Sequence, residues 1–228
     1  MANRPMYIIG HSKELPVAQI NIDFKWFAGM SVSQKQKSIS SLHDSFLKQY
    51  STYKCLEISS KSIDKLGIAL SAFNLSFELK NTTISVECAF QGSKVFTNGG
   101  PYIDLYSKSS REAKKDERIR NSGSLEKFIS LSKDEWPLSP KTLFYDWIYL
   151  NALHSNQDLV QQLLLYNAFS DIEFNPKKSI NSQAYSVALY LYLYKINNLK
   201  ILSSKNKYIE FMSNQTYRGS CKVQSSLF

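Results

Sequence analysis

TISVECAFQGSKVF, residues 83–96, carries one acid, one amide and one cation in a mostly apolar run: Glu87, Gln91 and Lys94. Steps of four and seven return to one face of a helix, so the run reads as a buried helix with a polar line along one edge. Ser85 is placed to cap it. Val86, Ala89 and Phe90 lie beside the line and are expected to pack inward. A carboxyl group at the margin of an apolar face loses solvation, which raises its pKa and suits it to acid–base work near neutral pH. In the plainer alternative, Glu87 and Lys94 simply reach water from the helix edge.

The segments before this run read as small β elements. VAQINIDF (17–24) alternates Ile20, Ile22 and Phe24 against Gln19, Asn21 and Asp23, the pattern of a half-buried strand. A helix follows, with Ile39, Leu42, Phe46 and Leu47 at three- and four-residue steps and Ser33 as its N-cap. KCLEIS (54–59) is a short strand, and LSFELKNTTISV is a hairpin turning at Lys80-Asn81-Thr82. Gly99-Gly100-Pro101 marks a loop after the opening run. Residues 107–127 form a charged stretch with a short helix capped by Ser109 or Ser110, closed by Ser-Gly-Ser at 122–124. Two apolar-striped helices come next, then DIEF (171–174) as a strand or turn, and a last core helix over NSQAYSVALYLYLYKI. The count is roughly six helices and four or five short strands, with strands early and helices late, so the expected class is α+β. A single helix-rich domain with a small, mostly antiparallel sheet is expected over residues 1–203, and a loose polar tail over 204–228.

The 228 residues are 43% hydrophobic and 13% aromatic, enough to bury a core. Lys plus Arg is 28 against 19 acids, a net charge of +9 that favours a polyanionic partner. Cys55, Cys88 and Cys221 are scattered and far from His11, His43 and His154, which argues against a zinc site or a disulfide framework. There is no GxGxxG or Walker motif, no signal-like start and no 18-residue apolar stretch, so a cytoplasmic protein that neither spans nor needs a membrane is expected.

LSAFNLSFEL followed by TISVECAFQGSKVF resembles the signature of the NADAR family, an F-S-N-F segment, a hairpin, then T-x-E-H-x-F-Q-A-x-K-F. Glu87, Phe90, Gln91, Lys94 and Phe96 match the second motif with one residue's slack; Ser71, Phe73 and Asn74 approximate the first. Cys88 replaces the usual histidine, and the family's W-G segment after the glutamate at 173 is missing. Those departures, with FKWFAGMSVSQKQKSI, LEISSKS, GGPYIDL, SSREAKKDERIR and DIEFNPKKSINSQA, resemble the branch of NADAR antitoxins encoded beside DarT-type DNA ADP-ribosyltransferase toxins. The likeness runs from about residue 4 to 196.

The resemblance implies an N-glycosidase that removes ADP-ribose from the exocyclic amino group of guanine in single-stranded DNA and needs no cofactor or metal. Its partners would be ADP-ribosylated DNA, ADP-ribose and the cognate toxin. The alternatives are a binder of modified nucleic acid or of the toxin, and an N-glycosidase acting on a riboflavin-pathway intermediate. Such chemistry needs a proton donor, for which Glu87 is the candidate, and it admits a lysine Schiff base on Lys35 or Lys94. SQKQKS can equally be a basic helix start that touches phosphate. Arg111, Lys177 and Lys178 are candidate pyrophosphate cations, the two lysines directly before a helix. Asn181 either caps that helix or bonds a ribose hydroxyl, and Asn74 caps a turn or bonds ligand. Trp136 stacks on a base at a loop rim or sits in the core. Gln91 and Glu173 complete the substrate-binding set through their motif positions. Arg111, Arg118 and Arg120 either track a nucleic-acid backbone or belong to a solvated helix face.

Overall fold

The computed structural model describes residues 1–79, 81–177 and 179–214. The strand expected at 17–24 is β2 (Val17–Phe24). It pairs antiparallel along its whole length with β1 (Ala2–Ile9), a strand that alternation does not reveal. Pro5 to Ile8 are all buried, because β1 is an interior strand; covered on both faces, such a strand shows no period of two. Beyond β1 the sheet continues with β9 (Ala168–Ser170), antiparallel to β1, and β3 (Cys55–Glu57), parallel to β9, in the order β2-β1-β9-β3. DIEF itself is the turn that leaves β9.

Helix α1 (Val32–Leu47) packs Ile39, Leu42 and Phe46 into one cluster with Met6, Ile8, Ile22 and Phe24 of the sheet. Its cap is Ser31, two residues earlier than expected, whose hydroxyl accepts from Gln34 N. Helix α8 (Gln183–Lys195) buries every residue from Ala184 to Leu193 and lies against β1 and β9. A helix apolar on all sides belongs in a core. Asp64 caps α2 (Lys65–Ala69) and accepts from Tyr166 Oη at 2.7 Å. The tail expected to be loose begins with α9 (Lys205–Ser213), which buries Tyr208 and Met212. Two further helices are α6 (Leu143–His154) and α7 (Gln157–Leu163).

Between residues 71 and 157 two smaller sheets form. The expected hairpin is β4 (Ser76–Leu79) with β5 (Thr82–Ser85), in register Leu79 to Thr82. Asn81 takes a φ of +65° in its turn, a conformation that asparagine tolerates. Strands β6 (Lys94–Phe96), β7 (Leu125–Ile129) and β8 (Glu135–Trp136) make an antiparallel sheet in that order. The charged stretch folds as α4 (Ser110–Lys115) and α5 (Arg118–Asn121); Ser109 and Glu112 form a reciprocal capping box.

The opening helix is shorter than its periodicity suggests. It is α3 (Val86–Gly92), and the chain then becomes strand β6. Pairing with β7 takes over the backbone bonds of residues 94–96. Gly92 marks the stop: its carbonyl accepts from Tyr102 N at 2.8 Å, and a Cβ there would lie 2.3 Å from the Tyr106 ring. Spatial proximity divides the chain into two compact units, Met1–Leu70 with the segment from Asp158 onward, and Ser71–Gln157.

Candidate active site

In the unit of residues 71–157, Ser85 caps α3 by accepting from Cys88 N. The next donors go to the turn before the hairpin, Val86 N to Leu75 O and Glu87 N to Ala72 O, each at 2.9 Å. Ser110 Oγ donates to Phe73 O at 2.8 Å and lies 2.7 Å from Ser85 Oγ. The two motif segments, 71–75 and 85–92, are thus bonded to each other. Glu87 and Gln91 are 6% and 7% exposed, so the polar edge of the helix is buried as well as its apolar face. Val86 and Ala89 are buried as expected, while Phe90 is half-buried between Phe128 and Tyr145.

The expected polar line exists, though Lys94 reaches it from a strand and not from the helix. Gln91 Nε2 donates to Glu87 Oε1 at 2.9 Å, and Lys94 Nζ donates to Gln91 Oε1 at 2.7 Å. The amide stands between acid and amine as a spacer. Burial pushes the Lys94 amine down to about 8; Glu87 opposes that shift and Lys114 adds to it. The Lys94 ammonium also lies 4.7 Å from the Phe90 ring centroid.

The other unit holds a second lysine–glutamate cluster. Lys35 Nζ is 3.0 Å from Glu173 Oε1, with the lysine side chain 14% exposed and the glutamate 42%. Two cations approach the Trp26 ring: Lys35 Nζ at 5.0 Å and Arg4 Cζ at 5.5 Å from its centroid. Behind Glu173 lie two buried carboxyls that sequence reasoning missed, Glu57 and Asp171. Burial raises both; the nearby Glu173 charge adds to the rise of Glu57, and the Glu57 charge adds to that of Asp171, which reaches about 7. His43 is half-buried, and its loss of solvation pushes it down to about 4 and keeps it neutral. A single acid in the apolar strand CLE was the only sequence signal for this group.

Other candidates fall elsewhere. Trp136 is 2% exposed and packs on Phe144 and Trp147, so it is a core residue with no face left for a base. Asn74 sits exposed in the turn before β4, and its N–H donates to Ser71 O. Arg111 is exposed on α4. Arg118 is committed to Asp104 and Asp116, and its guanidinium covers the Tyr102 ring at 4.6 Å. Lys177 is exposed but stands six residues before α8, not at its start. Lys178 lies outside the described residues. Ser182, not Asn181, occupies the cap position of α8 and makes no side-chain cap bond; Asn181 Oδ1 and Ser182 Oγ are buried without a partner. Cys55 and Cys88 are free thiols, and Cys221 lies outside the described residues. Among the described residues no group of three or more His, Cys, Asp or Glu is placed to hold a metal, and no helix is long and apolar enough to cross a membrane.

These features define an α+β protein with two lysine–glutamate clusters, one in each compact unit. Its sequence matches the family described as DarT1-associated NADAR antitoxin over residues 2–221, and the chain belongs to that family. A comparison with curated proteins finds none that match.

Proposed function

We propose that this chain is an ADP-ribosyl hydrolase that removes ADP-ribose from the exocyclic amino group of guanine in DNA and so acts as antitoxin to its DarT1-type partner. The observation that carries this reading is the buried chain Glu87–Gln91–Lys94, in which a carboxyl and a partly neutral amine are held apart by one amide. A proton from Glu87 to the ribose ring oxygen opens the ring and leaves an iminium between C1 and the guanine nitrogen. The neutral Lys94 amine adds to C1, a proton passes to the guanine nitrogen, and intact guanine leaves. Water then hydrolyses the lysine Schiff base, which frees the amine and returns the proton to the carboxylate as the ribose closes.

An amine at about 8 is neutral in roughly a quarter of molecules at pH 7.5, enough to act as a nucleophile. A second reading places the Schiff base on Lys35, because Glu173 stands 3.0 Å from its nitrogen, where a carboxylate can take the proton. Incubation with a guanine-ADP-ribosylated oligonucleotide should restore the strand and release ADP-ribose. Borohydride added during turnover should leave an adduct on the peptide of Lys94; an adduct on Lys35 selects the second reading. Tight binding of the oligonucleotide without release would make the protein a binder instead. Turnover of a small phosphorylated aminopyrimidine, with none on modified DNA, would make it a metabolic N-glycosidase.

A further inference from the structure

The turn that carries Glu173 is held from behind by two carboxyl groups. Glu57, 2% exposed on β3, accepts from Ile172 N at 2.8 Å through Oε1 and from the Ser170 hydroxyl through Oε2. Asp171, 5% exposed, accepts from Glu173 N and Phe174 N through Oδ1, both at 3.1 Å, and from Gln183 Nε2 of α8 through Oδ2. Three successive backbone N–H groups, 172 to 174, therefore point at side-chain carboxyls, the arrangement that elsewhere binds a free anion. Because Ser170 donates to Glu57, its oxygen takes the Nε2 proton of His43 on α1, 2.8 Å away. Ile58 N donates to Ser170 O at 2.8 Å and fixes the start of the turn.

Two buried carboxyls side by side are an unfavourable way to hold a turn, since each loses solvation and each repels the other. The result that offsets the cost is geometric. With N–H groups 172, 173 and 174 all committed, the Glu173 side chain leaves the turn in one direction and meets Lys35.

We propose that Glu57 and Asp171 are positioning residues for the Lys35–Glu173 pair, fixing the 170–174 backbone so that the glutamate stays opposite the lysine. This rests on Lys35 acting on the substrate, as amine or as phosphate-holding cation, but its test does not depend on turnover. The rate at which limiting acetic anhydride labels Lys35, read by peptide mass spectrometry against the exposed Lys37, reports whether the ammonium is held. Glu173→Gln should raise that rate roughly two- to fivefold, the range expected for one partly exposed ion pair. Glu57→Gln and Ser170→Ala should each reproduce most of the increase while the circular dichroism of the fold is unchanged. If Glu57→Gln unfolds, Ser170→Ala decides, because it removes the bridging hydroxyl and leaves both carboxyls in place. Wild-type labelling in the folded variants overturns the proposal, and so does an unaltered rate in Glu173→Gln. If the labelling changes appear but the wild-type protein releases no ADP-ribose from modified DNA, the hydrolase reading fails and the positioning role stands.

Discussion

Two lysines in this chain meet glutamates by different routes. Lys94 reaches Glu87 through an amide, is largely buried and loses part of its charge. Lys35 touches Glu173 directly, at 3.0 Å. A carboxylate in contact stabilises an ammonium, whereas an amide oxygen only solvates it. What sets the Lys94 amine apart is burial with an amide, rather than a carboxylate, in direct contact with it.

The largest effect expected from breaking this contrast is at the acid. Glu87→Gln keeps shape and hydrogen bonding but cannot give a proton, so ADP-ribose release in a single-turnover assay should fall about 100- to 10,000-fold. Gln91→Glu would put a carboxylate against Lys94 and make its surroundings resemble those of Lys35. Trapping by borohydride at pH 7.5 should then drop roughly tenfold for each unit its pKa climbs, and recover as the pH is raised. Equal trapping in both proteins across pH 7 to 9 would show that the spacer does not set the amine.

Backbone geometry is tested next. Gly92→Ala would bring a Cβ to 2.3 Å from Tyr106 Cε1 and 3.0 Å from Tyr102 O where α3 gives way to β6. A urea titration should show a loss of about 1–3 kcal/mol, the usual cost of overpacking. An unchanged midpoint would mean that the turn after Pro101 gives way easily.

Asp171 and His43, behind Glu173, make opposite predictions about pH. Asp171 is raised from 3.8 to about 7, so the folded state binds more protons than the unfolded between those values, and stability falls as pH rises through that window. His43 is lowered from 6.5 to about 4, so the folded state binds fewer protons there, and stability falls as pH drops from 6.5 to 4. The two contributions partly cancel, each with a slope of at most about 1.4 kcal/mol per pH unit. Asp171→Asn should therefore make the slope of stability against pH between about 4.5 and 6.5 more positive than in the wild type, and His43→Gln should make it more negative, with the raised Glu57 adding to the fall in both. Urea midpoints with the same slope in both variants would contradict this account. The smallest effect is expected at Arg118, whose pairs with Asp104 and Asp116 lie at the surface; Arg118→Ala should change stability by less than about 1 kcal/mol.

The first cluster was legible because its members are close in the chain. Glu87, Gln91 and Lys94 lie within eight residues, and local geometry brings them together even though the helix ends at Gly92 and a strand carries the lysine. The second was not legible. Glu57 reaches Ile172 across 115 residues and Ser170 across 113, and nothing in CLE or DIEF announces that contact. Trp136 illustrates the same limit, since its sequence leaves a loop rim and a core position both open and packing on Phe144 and Trp147 made it core.

Local patterning by itself determined the α+β class, the 76–85 hairpin, the Ser85 cap and a short helix beginning at Ser109 or Ser110, because caps, turns and alternation depend on residues a few positions apart. Only the tertiary structure decided that β1 is an interior strand, that α3 stops after seven residues, and which acids and amines are displaced from their ordinary protonation. Protonation follows burial and the nearest charges, and those are supplied by parts of the chain a hundred residues away.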